Sequence, residues 1–146
     1  MSNPKSNARK AAVQALYQWQ LTGQNLNLIE QYFIDQQFFV DEPNIQKNFF
    51  STLFHGVPKD LIAIDALLSE FVDREVDAID PVERAILRLG AYELIHCTDT
   101  PYKVIINESI DLAKYFGADG SHRYVNGILD KAAQKQRAEE VQRKQK

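Results

Sequence analysis

Asp80-Pro81-Val82-Glu83-Arg84-Ala85-Ile86-Leu87-Arg88-Leu89-Gly90-Ala91-Tyr92-Glu93-Leu94-Ile95 is the stretch that decides the fold. It opens with an aspartate able to accept hydrogen bonds from unpaired amides. Proline stands at the first helical position, where no N–H is required, and a glutamate follows three residues after the cap. A helix must begin there. Its body is apolar nearly all round, interrupted by Arg84, Arg88 and Glu93, so it needs neighbours on most sides and belongs at the centre of a bundle.

Working back toward the N-terminus, Leu61, Ile64, Leu67, Leu68 and Phe71 recur at helical spacing, with Lys59 or Asp60 near the start of that helix. Gly56 to Pro58 predicts a break, because the residue before a proline disfavours helix. Ile45, Phe49, Leu53 and Phe54 form the helix before it, opening near Asn44 after a break at Asp41, Glu42 and Pro43. Leu28, Ile29, Tyr32 and Phe33 predict a helix from about Asn27 to Phe38. The first helix is expected from about Asn7 to Thr22, with Ser6 as its N-cap and Gly23 as its stop.

Toward the C-terminus, Thr98 to Pro101 reads as a turn, and Val104, Ile105, Ile106, Ile110, Leu112, Ala113 and Phe116 give a wide apolar face. Gly117 is expected to end that helix in the left-handed conformation, and Ser121 to cap the last one, striped by Val125, Ile128, Leu129 and Ala132. From Gln134 to Lys146 the chain is polar and charged, a solvated helical extension or a disordered tail. The six glycines and five prolines fall between these segments, not every eight to twelve residues as a sheet protein requires. The fold class is all-α, a helical bundle of about seven helices with no internal repeat.

With 146 residues, 45% of them hydrophobic and 25% charged, the chain has the composition of an ordinary globular domain. A single cysteine, Cys97, rules out an internal disulfide. No apolar run approaches a membrane span and Met1 to Lys10 lacks a signal-peptide core, which predicts a cytoplasmic protein. The net charge of minus 3 is unevenly spread. Residues 1–23 hold Lys5, Arg9 and Lys10 and no acid, residues 24–100 hold fourteen acids against five bases, and residues 101–146 hold nine bases against six acids. Two basic ends flank an acidic middle, a distribution suited to a polyanion on one face and a basic partner on another.

Nothing in the chain predicts catalysis. His55, His96 and His122 sit in unrelated segments without the three- or four-residue spacing of a metal site. Phosphate-binding glycine loops and nucleophile elbows are missing from the sequence, and the carboxylates fall on polar helix faces. The expectation is no catalytic residue, no metal, no cofactor and no small-molecule substrate.

Three stretches carry a family likeness. They are Ala12-Val13-Gln14-Ala15-Leu16-Tyr17-Gln18-Trp19-Gln20-Leu21, Glu83 to Arg88 running on to Ala91-Tyr92-Glu93-Leu94, and Pro101-Tyr102-Lys103-Val104-Ile105-Ile106-Asn107-Glu108 with Leu112-Ala113-Lys114, Phe116-Gly117 and Arg123-Tyr124-Val125-Asn126-Gly127-Ile128-Leu129-Asp130-Lys131. In order and over nearly the whole chain, they resemble the NusB antitermination family. The resemblance implies two packed three-helix subdomains within one domain over 1–133, an N-terminal one to about residue 77 and a C-terminal one over about 78–133, followed by the tail 134–146. It also implies a bacterial, non-enzymatic factor that binds boxA-type single-stranded RNA together with ribosomal protein S10 (NusE). That pair would act within the complex that keeps RNA polymerase elongating through ribosomal RNA operons.

Carried over residue by residue, the resemblance makes Lys5, Arg9 and Lys10 the basic RNA arm, a thin one that predicts weak RNA affinity without S10. Unpaired bases stack on aromatic rings beside cations, which nominates Tyr17, Tyr102, Lys103, Phe116, Arg123 and Tyr124. Burial tendency alone favours core for Phe116 and is even for Tyr17 and Tyr124. Glu70, Asp73, Glu83 and Arg88 are the candidates for S10, although Glu83 could merely complete its helix cap and Arg88 merely snorkel. The alternatives are a helical accessory domain of the kind fused ahead of ribosomal RNA cytosine methyltransferases, and a scaffold that binds protein only. Monomer and homodimer both fit the sequence. One spatial expectation ties the RNA set together: the cationic start of the chain lies alongside the aromatic segments near its end.

Overall fold

A computed structural model describes residues 3–35 and 44–145, and among these residues there are eight α-helices, one 3-10 turn and no strand. The chain divides into two compact units, Met1–Lys59 and Asp60–Lys146. The all-α expectation holds. The division falls between Lys59 and Asp60, and the helix that follows Asp60 packs on the Asp80-capped helix.

The first unit contains α1 (Pro4–Thr22), α2 (Leu26–Asp35) and α3 (Lys47–Lys59). Asn3, not Ser6, caps α1: its Oδ1 accepts from the amides of Lys5 and Ser6 at 2.9 and 3.1 Å, with Pro4 at the first helical position. The Asn-Pro pair was the sequence signal for this start. Gly23 ends α1 at φ 66, as expected. Ala8, Ala11, Ala12 and Ala15 are fully buried on α1, and such small side chains let α3 approach closely with Phe50, Leu53, Phe54 and Val57. Ile29 and Phe33 of α2 complete this core.

The break expected at Gly56 to Pro58 does not occur; α3 runs through both residues to Lys59 and the chain turns at Asp60. Pro58 sits in the last turn of α3, so the amide bond it cannot donate leaves only Lys59 of helix beyond it to disturb. The sequence reading of residues 36–38 as helix and of Asp41 to Pro43 as its break lies outside the described residues.

The second unit contains α4 (Leu61–Ser69), the 3-10 turn Val76–Ala78, α5 (Pro81–His96), α6 (Tyr102–Phe116), α7 (Ser121–Gln136) and α8 (Ala138–Gln145). Asp80 caps α5 by accepting from the amides of Val82 and Glu83 at 3.0 and 3.2 Å. As expected, α5 is the central helix: α4, α6 and α7 all pack on it, and Ala85, Ile86, Leu87, Leu89, Gly90, Ala91 and Leu94 are buried. Gly90 is where α7 comes closest, since a Cβ there would stand 2.7 Å from Leu129 Cδ1.

Two helix-end expectations are corrected. Gly117 ends α6 in extended backbone at φ −89, and the left-handed residue is Gly120 at φ 85. Ser121 does not cap α7; it is the first helical residue, buried, and its hydroxyl donates to Glu83 Oε2 at 2.7 Å.

The polar tail is the largest departure. Within α8 and its approach, Arg137 and Val141 are buried. Arg137 Nε donates to Leu94 O at 2.8 Å, Nη2 to Glu93 O and Cys97 O at 3.2 and 3.0 Å, and Nη1 to Thr100 O at 3.1 Å. One guanidinium thus gathers carbonyls at and just beyond the end of α5, two of which, Glu93 and Cys97, also accept from the Cys97 and Thr100 amides, at the negative end of the helix dipole. Glu140 accepts from Arg137 Nη1 at 2.7 Å and from the Tyr102 amide at 2.9 Å. It caps α6, whose own N-cap residue, Pro101, has no side-chain acceptor.

Candidate nucleic-acid interface

In the first unit, the opening turn of α1 carries Lys5 and no acid, so side-chain charge adds to the positive end of the helix dipole. Lys5 is exposed, with Nζ 5.4 Å from the centroid of the Phe49 ring; Lys10, a turn and a half further on, is partly exposed. Arg9 differs from both. It is 3% exposed, with its guanidinium carbon 5.2 Å from the Phe49 centroid, so the cation is used in packing between α1 and α3. Its nomination as an arm contact is corrected on that ground. Tyr17 is 38% exposed on α1.

In the second unit the nominated residues separate into two places. Lys103 is exposed at the start of α6, whereas Tyr102 is buried beside it and has no face to offer a base, which corrects its nomination. Phe116 ends α6 and Arg123 and Tyr124 open α7, so these three flank the short connection from Gly117 to Gly120. Along a helix rising about 1.5 Å per residue, Lys103 lies roughly 20 Å from Phe116.

At the α6–α7 connection, Phe116 is half-buried and meets exposed Tyr115 edge to face, with ring centroids 4.8 Å apart. Arg123 is exposed and Tyr124 half-buried. Two groups that the sequence did not single out join them. Tyr115 is one, exposed by 65%. Arg74 is the other, its guanidinium carbon 6.0 Å from the Tyr124 ring centroid. Only the tertiary fold brings Arg74 there, across fifty residues of chain, so no local signal could have found it. Tyr115 was legible as an aromatic on the polar side of an amphipathic helix. Burial holds the Tyr124 phenol above its ordinary range, and its hydroxyl is enclosed without a hydrogen-bond partner.

The acidic candidates also sort by burial. Arg88 is 4% exposed, and its Nε and Nη2 hold Asp65 at 3.0 and 2.8 Å while Nη2 reaches Asp77 Oδ1 at 3.2 Å. This bidentate tie joins α5 to α4 and leaves no guanidinium for a partner protein, so Arg88 is removed from the partner surface. Glu83 is half-buried and engaged by Ser121. Glu70 and Asp73 are exposed, Glu70 paired with Lys135 and Asp73 with Arg74. The Arg74 guanidinium holds the Asp73 carboxyl below its ordinary range, first by hydrogen bonding and then by charge.

Among the described residues no group of His, Cys, Asp and Glu could hold a metal ion, and no helix is long and apolar enough to cross a membrane. Exposed cations, half-exposed rings and an acidic surface are binding chemistry.

Comparison with known proteins agrees. The model of the NusB family matches residues 6–134. A curated relative from Nitrosococcus oceani, named Transcription antitermination protein NusB, is 52% identical, the alignment covering 96% of this chain and 92% of the relative. One of the same name from Alcanivorax borkumensis is 44% identical over 97% and 95% of the two chains. A solved T. maritima NusB superposes with a TM-score of 0.77 at 30% identity, over 92% of this chain and 93% of that one. A second solved structure, of antitermination factors NusB and NusE in complex with dsRNA, gives a TM-score of 0.74 at 26% identity over 90% and 97%. A match that runs through both compact units, with relatives as long as the chain itself and the same helical fold, places the chain in the NusB family.

Proposed function

We propose that this chain is a non-enzymatic, cytoplasmic RNA-binding factor of transcription antitermination. It binds boxA-type RNA together with ribosomal protein S10 (NusE) and so promotes processive transcription of ribosomal RNA operons with RNA polymerase. The observation that carries the reading lies at and beside the α6–α7 connection, where the Arg74 cation stands over the Tyr124 ring and the Tyr115 and Phe116 rings meet. The solved neighbour held with NusE and RNA supports it.

The RNA contacts are Lys5, Lys10 and Tyr17 in the first unit, and Lys103, Phe116, Arg123 and Tyr124 in the second. Cations neutralise phosphates, and rings stack on splayed bases. The S10 contacts are Glu70, Asp73 and Glu83, whose charge complements a basic ribosomal protein. A second reading has an observation of its own: the RNA in the similar NusB–NusE structure is double-stranded. Rings offered for stacking favour the single strand, because a duplex hides its base faces.

Titrating labelled single-stranded and duplex boxA RNA with the protein, with and without S10, over a series of salt concentrations tests the reading. The single strand is expected to bind best, tightly only with S10 present, and with a steep salt dependence. Binding of neither form in the presence of S10 at low salt would overturn it.

A further inference from the structure

Arg74 lies in the exposed segment between α4 and the 3-10 turn, far in sequence from the rings at the α6–α7 connection. In the fold its guanidinium carbon stands over the Tyr124 ring, 6.0 Å from the centroid and within cation–π reach. Its Nε and Nη2 both donate to the Asp73 carboxylate, at 2.9 and 3.3 Å, and the side chain is about half exposed. With the Tyr124 hydroxyl enclosed, what the tyrosine presents outward is ring, and the arginine lies over it.

An ion pair between neighbouring exposed residues adds almost nothing to stability and an exposed cation–π contact only a little more, so folding alone gives no strong reason for this arrangement. Nucleic-acid binding gives one. A guanidinium is planar, always charged and weakly hydrated; it stacks on tyrosine with one face and on a base with the other, while its charge meets phosphate. We infer that Arg74 is a nucleic-acid contact, layered on Tyr124 to form the stacking surface for an unpaired base. Asp73, which fixes the guanidinium in place, is then a positioning residue as well as part of the acidic surface. Arg123, next to Tyr124 on α7, adds a second cation at the same place. The inference rests on the RNA-binding reading above and adds to it a residue that reading does not contain.

The test uses the full chain with S10 and a labelled single-stranded boxA RNA, titrated at several salt concentrations. Arg74→Ala should weaken RNA binding by roughly 5- to 150-fold, the scale of one lost stack. It should also flatten the salt dependence by about one phosphate contact. Arg74→Lys should keep the wild-type salt slope and recover only part of the affinity, because an ammonium has charge but no plane. Both variants should melt with the wild type and bind S10 alone as it does. Wild-type affinity and slope for Arg74→Ala would overturn the inference, and full recovery by Arg74→Lys would overturn the stacking surface. A wild-type chain that fails to bind the RNA alongside S10 overturns the broader reading and this one together; failure confined to the variants' behaviour condemns Arg74 alone.

Discussion

Replacing Arg137 by alanine should destabilise the second unit far more than a charge in a polar tail would suggest. The guanidinium makes five hydrogen bonds, four to the carbonyls of Glu93, Leu94, Cys97 and Thr100 and one to Glu140 Oε1, with the residue 8% exposed. Alanine leaves these acceptors behind. Glu93 O keeps the Cys97 amide and Cys97 O keeps the Thr100 amide, and the Thr100 carbonyl lies in a partly exposed segment that water reaches. The Leu94 carbonyl is the enclosed loss. Stranding one enclosed acceptor costs about 1–3 kcal/mol, and removing one partner of a buried ion pair costs about 3–5 kcal/mol. Glu140 keeps some contact with water, so the total should be about 3 kcal/mol, or roughly 10 °C in melting temperature for a chain of this size. Thermal and urea unfolding followed by circular dichroism would measure it. Arg137→Lys should recover less than half, since one ammonium cannot span acceptors around the end of α5. A melting temperature for Arg137→Ala within about 2 °C of wild type would refute the view that α8 and its approach are structural.

Gly90→Val should cost about 2 kcal/mol or more, because a Cβ already meets Leu129 Cδ1 at 2.7 Å and Ser109 Oγ at 3.0 Å, and a branched side chain forces α6 and α7 away from α5. Urea unfolding would read this loss, and a stable Gly90→Val would show that the central packing yields easily. Burial raises the phenols of both Tyr92 and Tyr124. At pH values between their ordinary 10.0 and their folded values, the folded chain therefore binds more protons than the unfolded one, and stability should fall as pH rises there. Ultraviolet titration should show a late phase that shrinks in Tyr124→Phe and in Tyr92→Phe; a late phase unchanged in both variants would contradict the burial.

Burial explains why the candidate site was only partly legible. Lys5, Lys10, Arg123 and Lys103 are exposed or partly exposed, as expected of short-range polar positions. Arg9 and Arg88 look the same in sequence, yet Phe49 and Asp65 respectively take their guanidinium groups inside. An arginine is read as a surface cation until a partner from a distant segment shows otherwise. Tyr102 and Tyr124 were likewise equivalent as letters, and the fold buries one ring while leaving the other half exposed under Arg74.

What the sequence determined by itself was whatever depends on neighbours along the chain. The Asp80 cap with its proline, the apolar circumference of α5 and the helical spacing of the other segments are local, and they suffice for an all-helical bundle centred on that helix. Tertiary structure alone decided where long polar side chains go. Arg137 closes the end of α5 from more than forty residues away, and Arg74 reaches Tyr124 across fifty. A guanidinium is flexible and soluble enough to serve water, a carbonyl or a ring, and only the packed chain selects among them.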